Sequence, residues 1–306
     1  MSFTVPIIVG PTAVGKTALS VLLSDYFSVE VVSADSRQIY KYMDIGTAKP
    51  DKSILEKIPH HFIDILEPDA YYSAGMYGKE ARQVIRQIQQ RGRIPLVVGG
   101  SGLYIRALVD GLFEADLRDD SLRKELADQT KRKGLPAMFE QLKAVDPVYA
   151  QKISPADEKR ILRALEVWEL SGQRFSDLQK QTRKADFEPR FFGLTADRNI
   201  LYERINRRVD KMLEQGLLDE VRRLRDAGYA PPLNALNTVG YKEAFAYLDG
   251  AVSYEEMTEQ IKRNSRRYAK RQLTWFRQDK RIEWTEINSE KDLQNICREI
   301  ARRFNF

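Results

Sequence analysis

Cysteine is almost absent from this chain. Cys297 is the only one, which excludes an internal disulfide framework and any cysteine-based zinc site. On the last amphipathic stretch it is expected to be a small buried hydrophobe. Histidine is nearly as scarce: His60 and His61 are neighbours ahead of an expected strand. A histidine catalytic pair or metal cluster is therefore not expected, and both are read as structural. No apolar run approaches the ~20 residues that span a bilayer, and the opening residues lack the make-up of a signal peptide. No membrane association and a cytoplasmic location are the expectations. There is no internal repeat or low-complexity tract. No Asn is followed by Lys, which removes the Asn-Lys-x-Asp base-recognition motif of GTPases, and protein-kinase signatures are missing too.

What is present describes a globular protein. Of 306 residues, 42% are hydrophobic and 31% charged, enough apolar side chain for one large core or two ordinary ones. Lys and Arg number 50 against 44 acids, a net +6. The excess is local. Between Lys262 and Arg281 stand nine basic residues and one acid, Asp279, so the rest of the chain is slightly acidic. One basic surface on a balanced body is the footprint of a nucleic-acid binder.

Apolar, β-branched runs at residues 4–9, 29–33, 62–65 and 94–98 predict strands, with helices predicted over 16–27 and 76–90. Their alternation implies a parallel sheet covered on both faces. From residue 116 to 188 only helical patterns appear, broken at Gly134, Pro147, Pro155 and Gly172; residues 190–195 then restore a strand. Long helices follow over 198–215, 217–227 and, strongly basic, 254–277, with a last strand over 282–287. The expected fold is α/β, a phosphate-loop NTPase-like parallel sheet with helices on both faces, plus an all-helical insertion domain. The core comprises 1–115 and 189–306, and the insertion 116–188.

Gly10-Pro11-Thr12-Ala13-Val14-Gly15-Lys16-Thr17 matches G-x-x-x-x-G-K-[ST] at every fixed position, leaving a predicted strand and opening a predicted helix. Such a loop folds backbone N–H groups around phosphate oxygens and adds the positive end of the helix. Lys16 supplies a point charge and Thr17 a hydroxyl suited to Mg²⁺. The motif is of the ATP-binding kind, but it defines a polyphosphate site without naming the polyphosphate. A small-molecule kinase and a pyrophosphate-using transferase both stay open on this evidence.

Asp35 follows the second strand, at the edge where open parallel sheets bind ligands. Its carboxylate could hold Mg²⁺ or take a proton from a nucleophile, or it could simply cap the next turn. Gly99-Gly100-Ser101-Gly102 forms a second turn on the same edge, where Ser101 is either a ligand-facing hydroxyl or an N-cap.

Taken in order, Gly10–Thr17, Asp35-Ser36-Arg37-Gln38-Ile39-Tyr40 and Gly99-Gly100-Ser101-Gly102-Leu103-Tyr104 make the chain resemble the bacterial tRNA dimethylallyltransferases, or tRNA isopentenyltransferases. The runs from Asp44 to Pro50, Pro59-His60-His61, Arg163 to Val167, Val239-Gly240-Tyr241 and Lys270 to Trp275 extend the likeness over nearly the whole length. Two departures stand out. The family usually has Thr where this chain has Ser101, which keeps the hydroxyl. The zinc finger of eukaryotic members is missing, as one cysteine requires.

The resemblance implies transfer of a dimethylallyl group from dimethylallyl diphosphate to the exocyclic amine of the adenosine beside the anticodon, with the tRNA anticodon stem-loop as partner. It implies that Lys16 and Thr17 hold the pyrophosphate with Mg²⁺, that Arg208 reaches it, and that Asp35 is the general base. Arg204, one helical turn from Arg208, could also serve. By the same resemblance Asp35, Ser36, Arg37, Gln38 and Ser101 meet the tRNA, as do Arg123 and the run Lys159, Arg160, Ile161, Leu162 and Arg163. In the basic helix, Arg263, Arg266, Arg267, Lys270 and Arg271 are expected on phosphates, with Tyr268, Trp275 and Phe276 packed inward. Nothing demands a dimer, so a monomer is expected. The alternatives are an adenylate isopentenyltransferase working on free AMP, a nucleoside or nucleotide kinase, and an RNA-binding protein whose loop is a nucleotide switch.

Overall fold

The structure, a computed structural model, describes residues 3–113 and 117–304. Its α/β unit comprises the chain up to Val109 and again from Ala185. The first stretch runs β1 (Thr4–Val9), α1 (Lys16–Ser24), β2 (Val29–Ala34), α2 (Lys52–Lys57), β3 (His60–His61), α3 (Ala74–Gln90), β4 (Ile94–Gly99) and α4 (Gly102–Val109). The helical unit, Asp110–Lys184, holds α5 (Asp120–Lys133), α6 (Leu135–Val145), α7 (Pro147–Ala150), α8 (Glu158–Ser171) and α9 (Phe175–Leu178). The α/β unit then resumes with β5 (Glu188–Thr195), α10 (Arg198–Glu214), α11 (Leu217–Asp226), α12 (Tyr241–Leu248), α13 (Tyr254–Phe276), β6 (Glu283–Glu286) and α14 (Glu290–Arg303).

The strands lie in the order β3-β2-β4-β1-β5-β6, and every neighbouring pair is parallel. Side chains of β1 alternate between two apolar layers: Val5, Ile7 and Val9 enter one, Ile8 the other. Leu19, Leu201 and Ile296 cover one face from α1, α10 and α14; Ile85 and Val221 cover the opposite face from α3 and α11. This is the two-sided cover expected from the apolar runs. The connection from β1 leads to one side of the sheet and that from β4 to the other. The crevice thus falls at the C-terminal ends of β1, β4 and β2, where open α/β sheets bind ligands.

The third strand differs from the sequence reading. It is His60–His61 rather than residues 62–65, because Phe62 and Asp64 take positive φ (65° and 56°) and leave the extended conformation. His61 ties its Nε2 to the buried Glu30 carboxylate at 2.7 Å, a structural role as expected. The helical unit also closes earlier than residue 188. The Ala185 N–H bonds the Val109 carbonyl (2.9 Å), Asp186 pairs with Arg86 and Phe187 enters the α/β core, so these residues belong to the α/β unit. The expected start at residue 116 lies outside the described residues. Within the helical unit Leu126, Met138, Leu142, Ile161, Leu165 and Phe175 make a separate core. Among the described residues no helix is long and apolar enough to cross a membrane.

Candidate active site

The loop from Gly10 to Thr17 connects β1 to α1. Gly10 has φ +149°, and a Cβ there would stand 2.4 Å from the Leu194 carbonyl oxygen of β5, so no side chain fits. Lys16 folds over the loop, donating from Nζ to the carbonyls of Gly10 (2.9 Å) and Pro11 (2.8 Å). Burial lowers the Lys16 pKa to about 8, Arg208 pushes the same way, and Asp35 opposes both. Thr17 is exposed at the start of α1.

Arg208 on α10 donates from Nη1 to the Thr12 hydroxyl at 3.1 Å. Burial pulls its own pKa below the usual value, with Asp35 acting against the shift. Arg204 behaves differently. Its guanidinium bonds the carbonyls of Ile287 (2.8 Å) and Asn288 (3.0 Å), so it fastens α10 to the loop after β6, whereas Arg208 lines the cavity.

Asp35 begins the turn after β2, and its Oδ1 accepts from the N–H groups of Arg37 (2.9 Å) and Gln38 (3.4 Å). It is a cap and also lines the cavity with Lys16 and Arg208. The two readings of Asp35 therefore do not exclude each other. Ser101 does not cap α4 with its hydroxyl; it accepts the Ser36 N–H (3.0 Å) and donates to Ser36 Oγ (3.2 Å), locking the two turns together. Arg37 donates to the Asn234 carbonyl (2.6 Å), and Gln38 Nε2 to the carbonyls of Thr47 and Ala48.

Two cavities meet at this edge. One, of about 450 Å³, is lined by the loop, Asp35 and Arg208 and also by the apolar side chains of Ile205, Val209, Met212 and Ile261. The other, of about 390 Å³, is bounded by Ser36, Ser101, Tyr104, Arg271 and Trp275. Arg37, Tyr268 and Gln272 line both. Of the three aromatics expected to pack inward, Phe276 is buried, Tyr268 is half-buried and borders both cavities, and Trp275 is 38% exposed. Trp275 departs from the expectation, and Tyr268 meets it in part. Near α13's middle, Arg263, Arg267, Lys270 and Arg271 are exposed, while Arg266 is held by Asn206 at 2.6 Å.

In the helical unit the run 159–163 is not one surface. Lys159 and Arg160 are exposed, Leu162 is half-buried, and Ile161 is fully buried in that unit's core. Ile161 is thus withdrawn from tRNA contact, because at helical spacing it falls on the apolar face of α8. Arg123 and Arg163 both grip the buried Glu166 carboxylate, at 2.7 Å each, and Arg163 also bonds the Leu117 carbonyl. These two arginines help to build the unit.

Two residues at the site escaped the sequence reading. Glu220 on α11 is buried and accepts the backbone N–H groups of Asp44, Ile45 and Gly46 and the Tyr241 hydroxyl, fixing the loop that holds Gln38. Gln272 joins the phosphate loop to the Gly100 turn. Its only sequence signal was its place inside the Lys270–Trp275 run.

Fold and site together define an α/β protein whose phosphate-binding-type loop lines a cavity with a carboxylate, with a second cavity opening beside a basic helix. The family model described as IPP transferase matches residues 38–279, and the chain belongs to that family. It is 47% identical over 299 residues to a tRNA dimethylallyltransferase of Thermotoga neapolitana, spanning 96% of each chain. It is 47% identical to the enzyme of that name from Carboxydothermus hydrogenoformans, over 98% of this chain and 97% of the relative. Among solved structures, the full-length tRNA isopentenylpyrophosphate transferase of Bacillus halodurans matches with a TM-score of 0.72 at 41% identity, covering 99% of this chain and 97% of the other. A eukaryotic dimethylallyltransferase acting on tRNA matches with a TM-score of 0.83 at 28% identity, over 99% of this chain and 80% of that one. None of these relatives is a kinase or an adenylate isopentenyltransferase.

Proposed function

We propose that this protein transfers a dimethylallyl group from dimethylallyl diphosphate to the exocyclic amine of the adenosine adjacent to the anticodon in tRNA, giving isopentenyladenosine. The observation that carries this reading is one crevice in which Lys16, Arg208 and Asp35 line a cavity together with apolar side chains, beside a second cavity at the basic helix. A diphosphate suits the first group, a short prenyl chain the apolar side chains, and an extruded nucleotide the second cavity.

In the reaction the amine lone pair forms a bond to the allylic carbon. The carbon–oxygen bond breaks, its electron pair leaves with diphosphate, and the amine proton passes to the Asp35 carboxylate. Negative charge grows on the departing diphosphate, where Lys16, Arg208 and the N–H groups of the loop stabilise it more than the ground state. The adenosine must leave its stack, at a cost of a few kcal/mol that is modest in a single-stranded loop. Ser36, Arg37 and Ser101 line the cavity it enters, and Gln38 lines the neighbouring one. Lys159 and Arg160, with the exposed bases of α13, are read as phosphate contacts, and one chain supplies every group invoked.

Mg²⁺ fits the residues present. Thr17 offers a hard oxygen donor to the cavity, and Mg²⁺ takes few protein ligands beside substrate phosphates. When bound it adds positive charge at the leaving group. The test is direct: incubate the protein with an anticodon stem-loop and labelled dimethylallyl diphosphate, without ATP. Label transfer to RNA is expected, and transfer that requires ATP, or occurs only to free AMP, would favour an alternative.

A further inference from the structure

The two substrates in this reading are held by different strands. The phosphate loop follows β1, Asp35 follows β2, and β4 lies between them. At ~4.8 Å per strand the two turns start about 10 Å apart, on loops rather than on the sheet. An in-line displacement tolerates little error in that relation, since a misplacement of ~1 Å can cost about 10²-fold. Something must brace the turns against each other.

Gln272 is placed to do this. It lies on the buried side of α13, only 6% exposed. Its Oε1 accepts the Thr12 N–H at 2.8 Å, and its Nε2 donates to the Gly100 carbonyl at 3.0 Å. Thr12 belongs to the phosphate loop and carries the hydroxyl that Arg208 bonds. Gly100 precedes Ser101, which holds Ser36 beside Asp35. The approach is tight: a Cβ on Gly100 would stand 2.2 Å from the Gln272 Nε2, so the carboxamide rests on the bare glycine. Tyr268, one turn back on α13, lines both cavities together with Gln272.

The chemistry of the bridge is specific. One neighbour is an N–H and the other a carbonyl, so the strut must accept at one atom and donate at the other. A carboxamide does both; a carboxylate can only accept, and a thioether does neither effectively. The bond to Thr12 also commits one loop N–H to the protein instead of to phosphate, which shapes the loop independently of its ligand.

We propose that Gln272 is a positioning residue for prenyl transfer, a strut that sets the diphosphate loop at a fixed distance from the turns carrying Asp35 and Ser101. This rests on the transferase reading above. It goes beyond that reading in assigning a role to a side chain that need touch neither reacting atom.

The test is single-turnover transfer at saturating donor and stem-loop, with dissociation constants measured separately. Gln272→Met keeps the volume, and is expected to slow the chemical step by about 10²-fold while each dissociation constant moves by less than roughly 3-fold. Gly100→Ala pushes the carboxamide aside from the opposite end and is expected to reproduce that loss. Gln272→Glu gives the sharper readout. Its carboxylate repels the Gly100 carbonyl, but the protonated acid can accept and donate as the amide does. Its rate relative to the unsubstituted protein is expected to rise as pH falls from about 8 to about 6. A merely structural residue would give a flat ratio. Full rate in Gln272→Met, a pH-independent ratio in Gln272→Glu, or equal loss of binding and rate in both overturns the proposal. The unsubstituted protein in the same series reports on the transferase reading by itself.

Discussion

Arg208 and Thr12, 196 residues apart in sequence, meet at 3.1 Å, so α10 and the phosphate loop share one guanidinium. Arg204, a turn earlier on the same face of the helix, instead fastens two carbonyls after β6. The pair separates chemistry from architecture on a single helix. Arg208→Ala is expected to lower turnover by about 10²–10³, the usual effect of removing one donor from a developing oxyanion. Arg204→Ala should lower the melting temperature and leave single-turnover rate near normal. Steady-state kinetics with thermal melts on both variants checks this.

Lys16 predicts a pH dependence. Its pKa is lowered to about 8 in the folded protein, and the ammonium is the form that pairs with diphosphate. Raising the pH through about 8 discharges it, so kcat/KM for the donor should fall on the alkaline side. The limb should be weaker in kcat, because bound diphosphate stabilises the charged form. Lys16→Ala should raise KM for the donor, slow turnover and abolish the limb, with stem-loop affinity unchanged. Equal loss of RNA binding would mean the loop supports the fold.

Asp35→Asn keeps size and can still accept the two backbone hydrogen bonds, but cannot take a proton. The amine of adenine is a weak nucleophile, so the single-turnover rate should fall by about 10²–10⁴. RNA affinity should change by no more than ~1.5–3 kcal/mol, the worth of one hydrogen bond to a charged group. A near-normal single-turnover rate would leave Asp35 only as the turn cap.

Salt should weaken stem-loop binding steeply. With roughly 4–6 phosphate contacts, log affinity should fall against log salt with a slope of about −3 to −5. Lys270→Ala should flatten that slope by about 0.7–0.9. A flat dependence in the unsubstituted protein would remove the basic helix from RNA binding.

The sheet was legible because strands buried on both faces leave continuous apolar runs, and the loop because its spacing is rigid. Ile161 was misassigned because a contiguous run was carried over whole, although helical periodicity puts its side chain inside. The third strand was misplaced because only two residues pair and the positive φ at Phe62 and Asp64 has no strong local sequence mark. Arg204 and Arg208 could not be told apart by spacing; what separates them is which carbonyls lie nearby. Glu220 reads as one more charge on an amphipathic helix, yet it is buried as the acceptor for three backbone N–H groups. Gln272 reaches Thr12 across 260 residues, a relation with no local signature.

The hydrogen bond from Ala185 to Val109 closes the neck through which the chain leaves the sheet and returns to it. For the α/β unit, the whole of Asp110–Lys184 is topologically a single loop with pinned ends. For a flexible loop each doubling of length costs only ~0.6 kcal/mol, so closing the neck by itself sets little limit on how much chain it encloses. Evolution can enlarge, trim or recharge that segment while β1, β4 and β5 keep their register. The part of the molecule that makes and breaks bonds is thus insulated from experiments carried out on the part that hangs from the neck.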